Sequence, residues 1–223
     1  MSQRTALIVG ATGLVGRNCL EILLATGRYS GVTALARREL PVKHPRLIVH
    51  VIDFDRLEES RALLKADDIF CCLGTTIKAA GSREAFRKVD YSYPLDVARI
   101  SREEGAGQFL LVSSSGASAT SSIFYSRVKG ELEEAIRALR YPSAGIFRPS
   151  LILGDRGEFR LGEKIATAIM KVVGPLLVGS LRKYRGIQAR DIARSMVAIA
   201  ERNLPGFTIY ESDRIAAIAH GEK

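Results

Sequence analysis

The amino-acid sequence predicts an α/β fold, a doubly wound parallel sheet with helices on both faces. Three observations carry that expectation. Short apolar runs rich in β-branched residues alternate with longer amphipathic stretches through the first two thirds of the chain. The short runs are largely without polar alternation, as suits strands covered on both faces. A glycine-spaced turn, "VGATGLVG", joins the first apolar run to the first amphipathic stretch. Strand–helix–strand repetition of this kind implies parallel strands with crossover helices.

Strands are expected at "TALIVG" (5–10), "GVTALA" (31–36), "RLIVHVI" (46–52), "DIFCCL" (68–73), "QFLLVS" (108–113) and "AGIFR" (144–148). Between them, residues 13–26, 56–66, 84–104 and 124–140 carry apolar residues at helical spacing. After Pro149 the pattern changes. "SLILGDRGEFRLGEK" reads as a loop, and "KIATAIMKVVGPLL" as an apolar helix stopped by Gly174 and Pro175. "IQARDIARSMVAIAE" (187–201) is an amphipathic helix and "GFTIYES" a late strand. Residues 150–186 are too few for an independent domain, so a single domain over 1–223 is expected. That segment would lie over the carboxyl ends of the strands, where ligands bind in such sheets.

With 223 residues, 47% of them hydrophobic, the chain can bury one substantial core. No stretch approaches the roughly 20 apolar residues that span a bilayer, so no membrane association is expected. The first apolar run begins within five residues of Met1, leaving no room for a secretory signal, and a cytoplasmic location is the expectation. Cys19, Cys71 and Cys72 are odd in number, with two adjacent in an apolar run, which suits buried thiols better than disulfides or zinc. His44, His50 and His220 show no metal-ligand spacing, and no metal is expected. The net charge of +9 comes from basic residues scattered along the chain rather than gathered into a stripe. A solvated surface explains most of them better than a nucleic-acid partner.

The glycine turn is the first site. Gly10, Gly13 and Gly16 follow the spacing G-x-x-G-x-x-G at a strand-to-helix junction. One glycine makes the tight turn, one lets the backbone approach a diphosphate, and one lets helix and strand pack closely. Ala11, Thr12, Leu14 and Val15 complete the turn, whose unpaired N–H groups and positive helix end would face the diphosphate. The end of the second strand discriminates between cofactors. An NAD-selective site would place a carboxylate there on the ribose hydroxyls. This chain has Arg37 and Arg38 in "ALARREL", and guanidinium groups bind a 2′-phosphate through paired hydrogen bonds. NADP(H) is therefore favoured, with NAD(H) the alternative. Asp53, ending the third strand, could accept a hydrogen bond from the adenine amino group. Leu73, Gly74 and Thr75 in "CLGTT" would run beside the cofactor after the fourth strand.

The second site is "FYSRVKGELEEA" (124–135), which puts Tyr125 and Lys129 one helical turn apart on one face. An ammonium near a phenol stabilises the phenolate. Two helix residues that merely share a face are the competing explanation, and sequence order decides between them. The fifth strand ends in "VSSSGAS" just before this helix, so parallel-sheet geometry brings a serine hydroxyl, a phenol and an ammonium to the same edge. Such a set can polarise a carbonyl and deliver a proton while hydride moves.

Taken jointly, "GATGLVG", the serine run, "YSRVK", "FRPSLILGDR" and "QARDIARSM" resemble a short-chain dehydrogenase/reductase. The resemblance is to the atypical kind related to the extended, epimerase-like group with its NAD(P)-binding Rossmann fold, and most of all to the Tat-interacting-protein-type NADPH-binding oxidoreductases. It implies that Tyr125 is the proton donor and acceptor, and that Lys129 lowers its pKa and holds the nicotinamide ribose. Ser115 would hydrogen-bond the substrate oxygen, with Ser114 the alternate. Leu151 and Arg156 would fall near the nicotinamide and its phosphates. Three departures stand out. The serine-to-tyrosine separation is shorter than in many members, and Asp90 in "KVDYSYP" stands where many carry a relay asparagine. The segment after residue 150 is also far shorter than an epimerase's substrate domain, which argues against epimerase or dehydratase chemistry.

Two function classes follow. The leading one is an NADP(H)-dependent oxidoreductase acting on a small-molecule carbonyl or alcohol. The rival is an NADPH-binding, redox-sensing regulatory protein that reports to a protein partner with little turnover. A homodimer through the helices at 84–104 and 124–140 is compatible with either.

Overall fold

The computed structural model describes residues 4–154 and 185–222. Seven parallel strands form the main sheet: β1 (Arg4–Val9), β2 (Tyr29–Ala36), β3 (Leu47–Val51), β4 (Asp68–Cys71), β5 (Gln108–Val112), β6 (Ser143–Arg148) and β9 (Gly206–Glu211). Their spatial order is β3-β2-β1-β4-β5-β6-β9. A small parallel pair, β7 (Ile152–Leu153) with β8 (Ile187–Gln188), lies outside that sheet and was not anticipated.

The unalternating strand sequences are explained by the two layers they feed. Ala6 and Ile8 of β1 face one apolar core, while Leu7 and Val9 face the other. Phe70 of β4 and Leu110 of β5 likewise oppose Ile69, Cys71, Phe109 and Leu111. The side-chain period of two is intact, but both faces are buried. On one side lie α1 (Leu14–Ala25), α6 (Ala189–Arg202) and α7 (Ser212–Ala219). On the other lie α4 (Tyr93–Glu103) and α5 (Phe124–Ala138).

Two expectations need correction. Residues 56–66 do not form an α-helix; Phe54–Leu64 is a kinked 3₁₀ segment, interrupted at Arg56 and Ser60. Its three buried anchors, Phe54, Leu57 and Leu64, pin short turns to the sheet. The stretch 84–104 is helical but not uniform. A short α2 (Ile77–Ala80) precedes α3 (Arg83–Arg87), which passes through a π-helical turn at Lys88–Ser92 into α4. The apolar helix expected around 164–177 lies outside the described residues.

The order of strands creates a crevice. The chain runs outward from β1 to β2 and β3, then returns to lay β4 on the other side of β1. The exits of β1 and β4 therefore lie side by side while α1 and α4 pack on opposite faces, and the carboxyl edge at such a switch is where open α/β sheets bind ligands. Arg46, just before β3, secures the opposite end of α1: it donates to the carbonyls of Thr26 and Tyr29, each at 2.8 Å, and to that of Leu24.

Candidate functional site

The turn after β1 is shaped by one residue above all. Gly10 has φ +82°, and a Cβ there would lie 2.5 Å from the carbonyl carbon and oxygen of Cys72 and 2.8 Å from Leu73 N. Only glycine lets the exits of β1 and β4 meet so closely. Gly16 serves packing: its Cβ would overlap the Gly10 carbonyl. Gly13 is the N-cap of α1, supplies no side-chain cap, and the first turn holds no acidic residue. The leading N–H groups of α1 are therefore available to an anion.

After β4 the chain runs through Leu73–Thr76, and Thr75 N donates to Asp90 Oδ2 at 2.8 Å. After β5, the three serines take three roles. Ser113 is buried and donates through Oγ to Glu133. Ser115 N donates to the Pro149 carbonyl at 2.9 Å, tying the serine turn to the exit of β6. Ser114 borders the open space beside Tyr125.

On α5, Tyr125, Lys129 and Glu133 stand at successive i, i+4 positions, a face turned to the sheet edge. The Tyr125 ring packs on Phe86, with centroids 5.4 Å apart. Lys129 is only 3% exposed and its Nζ lies 2.7 Å from Asp90 Oδ1, a carboxylate that is itself fully buried. Burial by itself would push the Lys129 pKa down; Asp90, helped by the nearby Tyr125, more than offsets it, and the pKa is raised. Glu133 pairs with Arg148, whose other arm reaches Glu211 at 3.2 Å, so α5 is clamped to β6 and β9. Gly130 fixes the opposite flank, since a Cβ there would overlap the backbone of Ser118.

These elements enclose one cavity of about 590 Å³, within the usual range for small-molecule and cofactor sites. Of the residues expected from sequence, Thr12, Gly13, Leu14, Val15, Arg38, Leu73, Gly74, Thr75, Ser114, Tyr125, Lys129 and Leu151 line it. Gly10, Ala11 and Gly16 support the turn from behind without lining it. Arg37 is exposed beside Arg38 and outside the lining, as is Asp53, whose carboxylate accepts from Asp55 N at 2.9 Å and caps the 3₁₀ segment. Ser115 is set back in the turn, and Arg156 lies outside the described residues. Sequence reading missed Arg17, which reaches the lining from α1 one residue beyond the glycine triad, and undervalued Asp90.

Comparison with known proteins follows the same lines. The model of the NAD dependent epimerase/dehydratase family matches residues 6–211. Protein HTATIP2 of Rattus norvegicus is 36% identical over 170 residues, covering 74% of this chain and 70% of the relative. Protein FMP52, mitochondrial, of Debaryomyces hansenii is 32% identical over 206 residues, covering 90% and 89%. Among solved structures, MoeE5 in complex with UDP-glucose and NAD superposes with a TM-score of 0.71 at 15% identity, over 96% of this chain and 80% of that one, a likeness of fold. Several relatives carry "mitochondrial" in their names, and this overturns the expectation of a cytoplasmic protein. The apolar run near Met1 is β1, an element of the fold, and its position is no guide to compartment. The family match, the relatives and the Rossmann-like sheet bear out the resemblance carried by the glycine turn and "YSRVK": the chain belongs to the NAD dependent epimerase/dehydratase family.

Proposed function

We propose that this protein is an NADP(H)-dependent oxidoreductase that moves hydride between a nicotinamide and a carbonyl/alcohol pair. One observation carries the reading: a single cavity joins the glycine turn and Arg38 to Ser114, Tyr125 and Lys129. The residues suit a dinucleotide. A close junction that a Cβ at Gly10 would fill, uncapped N–H groups on α1 and a buried ammonium are what a diphosphate and a ribose require. When bound, the cofactor supplies the hydride chemistry. The turn 10–13 and α1 hold the diphosphate, while Arg38 and Arg17 supply the charge that favours a 2′-phosphate. Lys129 holds ribose hydroxyls and keeps positive charge beside the phenol. In the reducing direction Tyr125 gives its phenolic proton to the substrate oxygen, and Ser114, with Ser115 the alternate, donates a hydrogen bond to that oxygen. The names of its relatives support a mitochondrial setting.

The test is to titrate NADPH and NADH by fluorescence, then follow NADPH absorbance with a panel of aldehydes, ketones and quinones, for wild type and Tyr125→Phe. Turnover that falls at least about a hundredfold in the variant, with cofactor affinity retained, supports the mechanism. Turnover unchanged by Tyr125→Phe removes it. Tight NADPH binding with no oxidation across the panel favours a cofactor-sensing protein instead.

A further inference from the structure

The geometry points to Asp90 as a positioning residue that holds the Lys129 ammonium and the loop leaving β4 as one unit at the cavity floor. This rests on reading the cavity as a dinucleotide site. Asp90 is carried on the π-helical turn at Lys88–Ser92, in an otherwise α-helical run from Arg83 to Glu103. Such turns are uncommon and gather at functional sites, because they re-aim one side chain without ending the helix. Here the re-aimed chain is a fully buried carboxylate that borders the cavity.

Its two oxygens do different things. Oδ1 lies 2.7 Å from Lys129 Nζ, and among the described residues no second donor reaches that oxygen. Oδ2 accepts from Thr75 N at 2.8 Å. Gly74 lies against both charges: a Cβ there would sit 3.4 Å from Asp90 Oδ1 and 3.7 Å from Lys129 Nζ. The loop beside the cavity is thus bonded to the same carboxylate that pairs the lysine, and a glycine lets it approach.

The other titratable groups facing Lys129 are Tyr125 from its own helix and Cys71 from β4. Burial pushes the Cys71 thiol up to about 12, so it is uncharged at neutral pH. Asp90 is therefore the carboxylate that faces this ammonium among the described residues. A buried pair of this kind adds little net stability, because desolvation offsets attraction. What it fixes is the place and persistence of the charge. Without it, a lysine this buried would lose its proton more readily and its hold on a ribose as pH rises.

The experiment uses the full chain labelled with ¹³Cε-lysine, with NADPH as the probe; the Lys129 resonance is assigned by its loss in Lys129→Arg. In wild type, Lys129 should titrate above the exposed lysines, and NADPH affinity should stay flat from about pH 7 to 9. In Asp90→Asn, which can still accept from Thr75 N, Lys129 should titrate at least about one pH unit lower, and the alkaline fall in NADPH affinity, followed up to about pH 11, should set in at a pH lower by the same amount. An unmoved Lys129 titration, or parallel affinity profiles, overturns the assignment. If Asp90→Asn does not fold, wild type decides alone: Lys129 titrating at or below the exposed lysines overturns it. A wild type that binds no NADPH sinks the functional reading, while the lysine titration still judges Asp90 separately.

Discussion

Replacing Gly10 by alanine probes the junction on which the cavity floor depends. The backbone there has φ +82°, and the added methyl would meet Cys72 C and O at 2.5 Å and Leu73 N at 2.8 Å. Left-handed backbone costs a non-glycine residue about 1–2 kcal/mol. Forcing the exits of β1 and β4 apart adds about 1–3 kcal/mol, the usual cost of overpacking. The sum is about 2–5 kcal/mol, a large part of the roughly 5–15 kcal/mol that holds a typical domain folded. Gly81 provides the control, with φ +88° but nothing within 4 Å of the same methyl. Gly81→Ala should bear the backbone cost alone, about 1–2 kcal/mol. At about 2–4 °C per kcal/mol for a chain of this length, Gly10→Ala should lower Tm by about 4–20 °C and Gly81→Ala by about 2–8 °C. Thermal unfolding followed by circular dichroism measures both, and NADPH titration should show a loss confined to Gly10→Ala. Equal drops in Tm, with NADPH affinity unchanged in both, would refute the close meeting of the two strand exits.

Further outcomes are expected. Arg17→Ala with Arg38→Ala should weaken NADPH by about 10–100-fold, as expected for loss of charge-assisted hydrogen bonds, and leave NADH nearly untouched; equal losses would contradict the phosphate preference. Glu133→Gln removes the charge that pairs Arg148, while its amide oxygen can still accept from Ser113. Because Arg148 keeps Glu211 and some solvent, the cost should be about 2–3 kcal/mol, below that of a fully buried pair, read as a lower urea midpoint; no change would show that the clamp is idle. The Lys129 pKa is raised in the folded state, so its contribution to stability is complete below the unfolded lysine value of about 10.4 and is lost as pH rises through the folded value. The urea midpoint of wild type relative to Asp90→Asn should therefore narrow on the alkaline side of that value, and a constant difference would contradict the linkage. Asp55, paired with Lys88 and hydrogen-bonded by Tyr93, has a lowered pKa; its contribution is present above about 3.9 and fades as pH falls through the folded value. It is exposed, so about 0.5 M salt should erase the effect.

Much of this architecture is legible in the chain because its signals are local. Strand runs, the glycine turn and the Tyr125–Lys129 spacing each span under ten residues, and parallel topology then brings them to one edge. What escaped is non-local or ambiguous. Asp90 and Lys129 are 39 positions apart, and nothing in "KVDYSYP" announces a π-helical turn that aims the carboxylate inward. Ser113 looks like its neighbours in sequence and lines the cavity beside Ser114, yet its hydroxyl is turned to Glu133. Asp53 reads as an adenine partner from its strand-end position, whereas the 3₁₀ segment that follows needs it as a cap. Helix α7 went unread because "SDRIAAIA" follows β9 without a break. Arg17 is one position past the triad, but which way a side chain leaves the first turn depends on the neighbouring strand exits.

The three carbonyls gathered by Arg46 bear on the far end of the same helix. A guanidinium planted at the negative pole of α1 answers that pole within the protein itself, while the positive pole meets no acidic residue of its own first turn. The helix is thus electrically lopsided by construction, its tail already balanced and its head left for an anion from solution. Removing the Arg46 charge should therefore loosen the carboxyl end of α1 and leave phosphate capture nearly unchanged at the opposite tip, more than 15 Å along the axis by the rise of a twelve-residue helix, because such end effects fade within a turn.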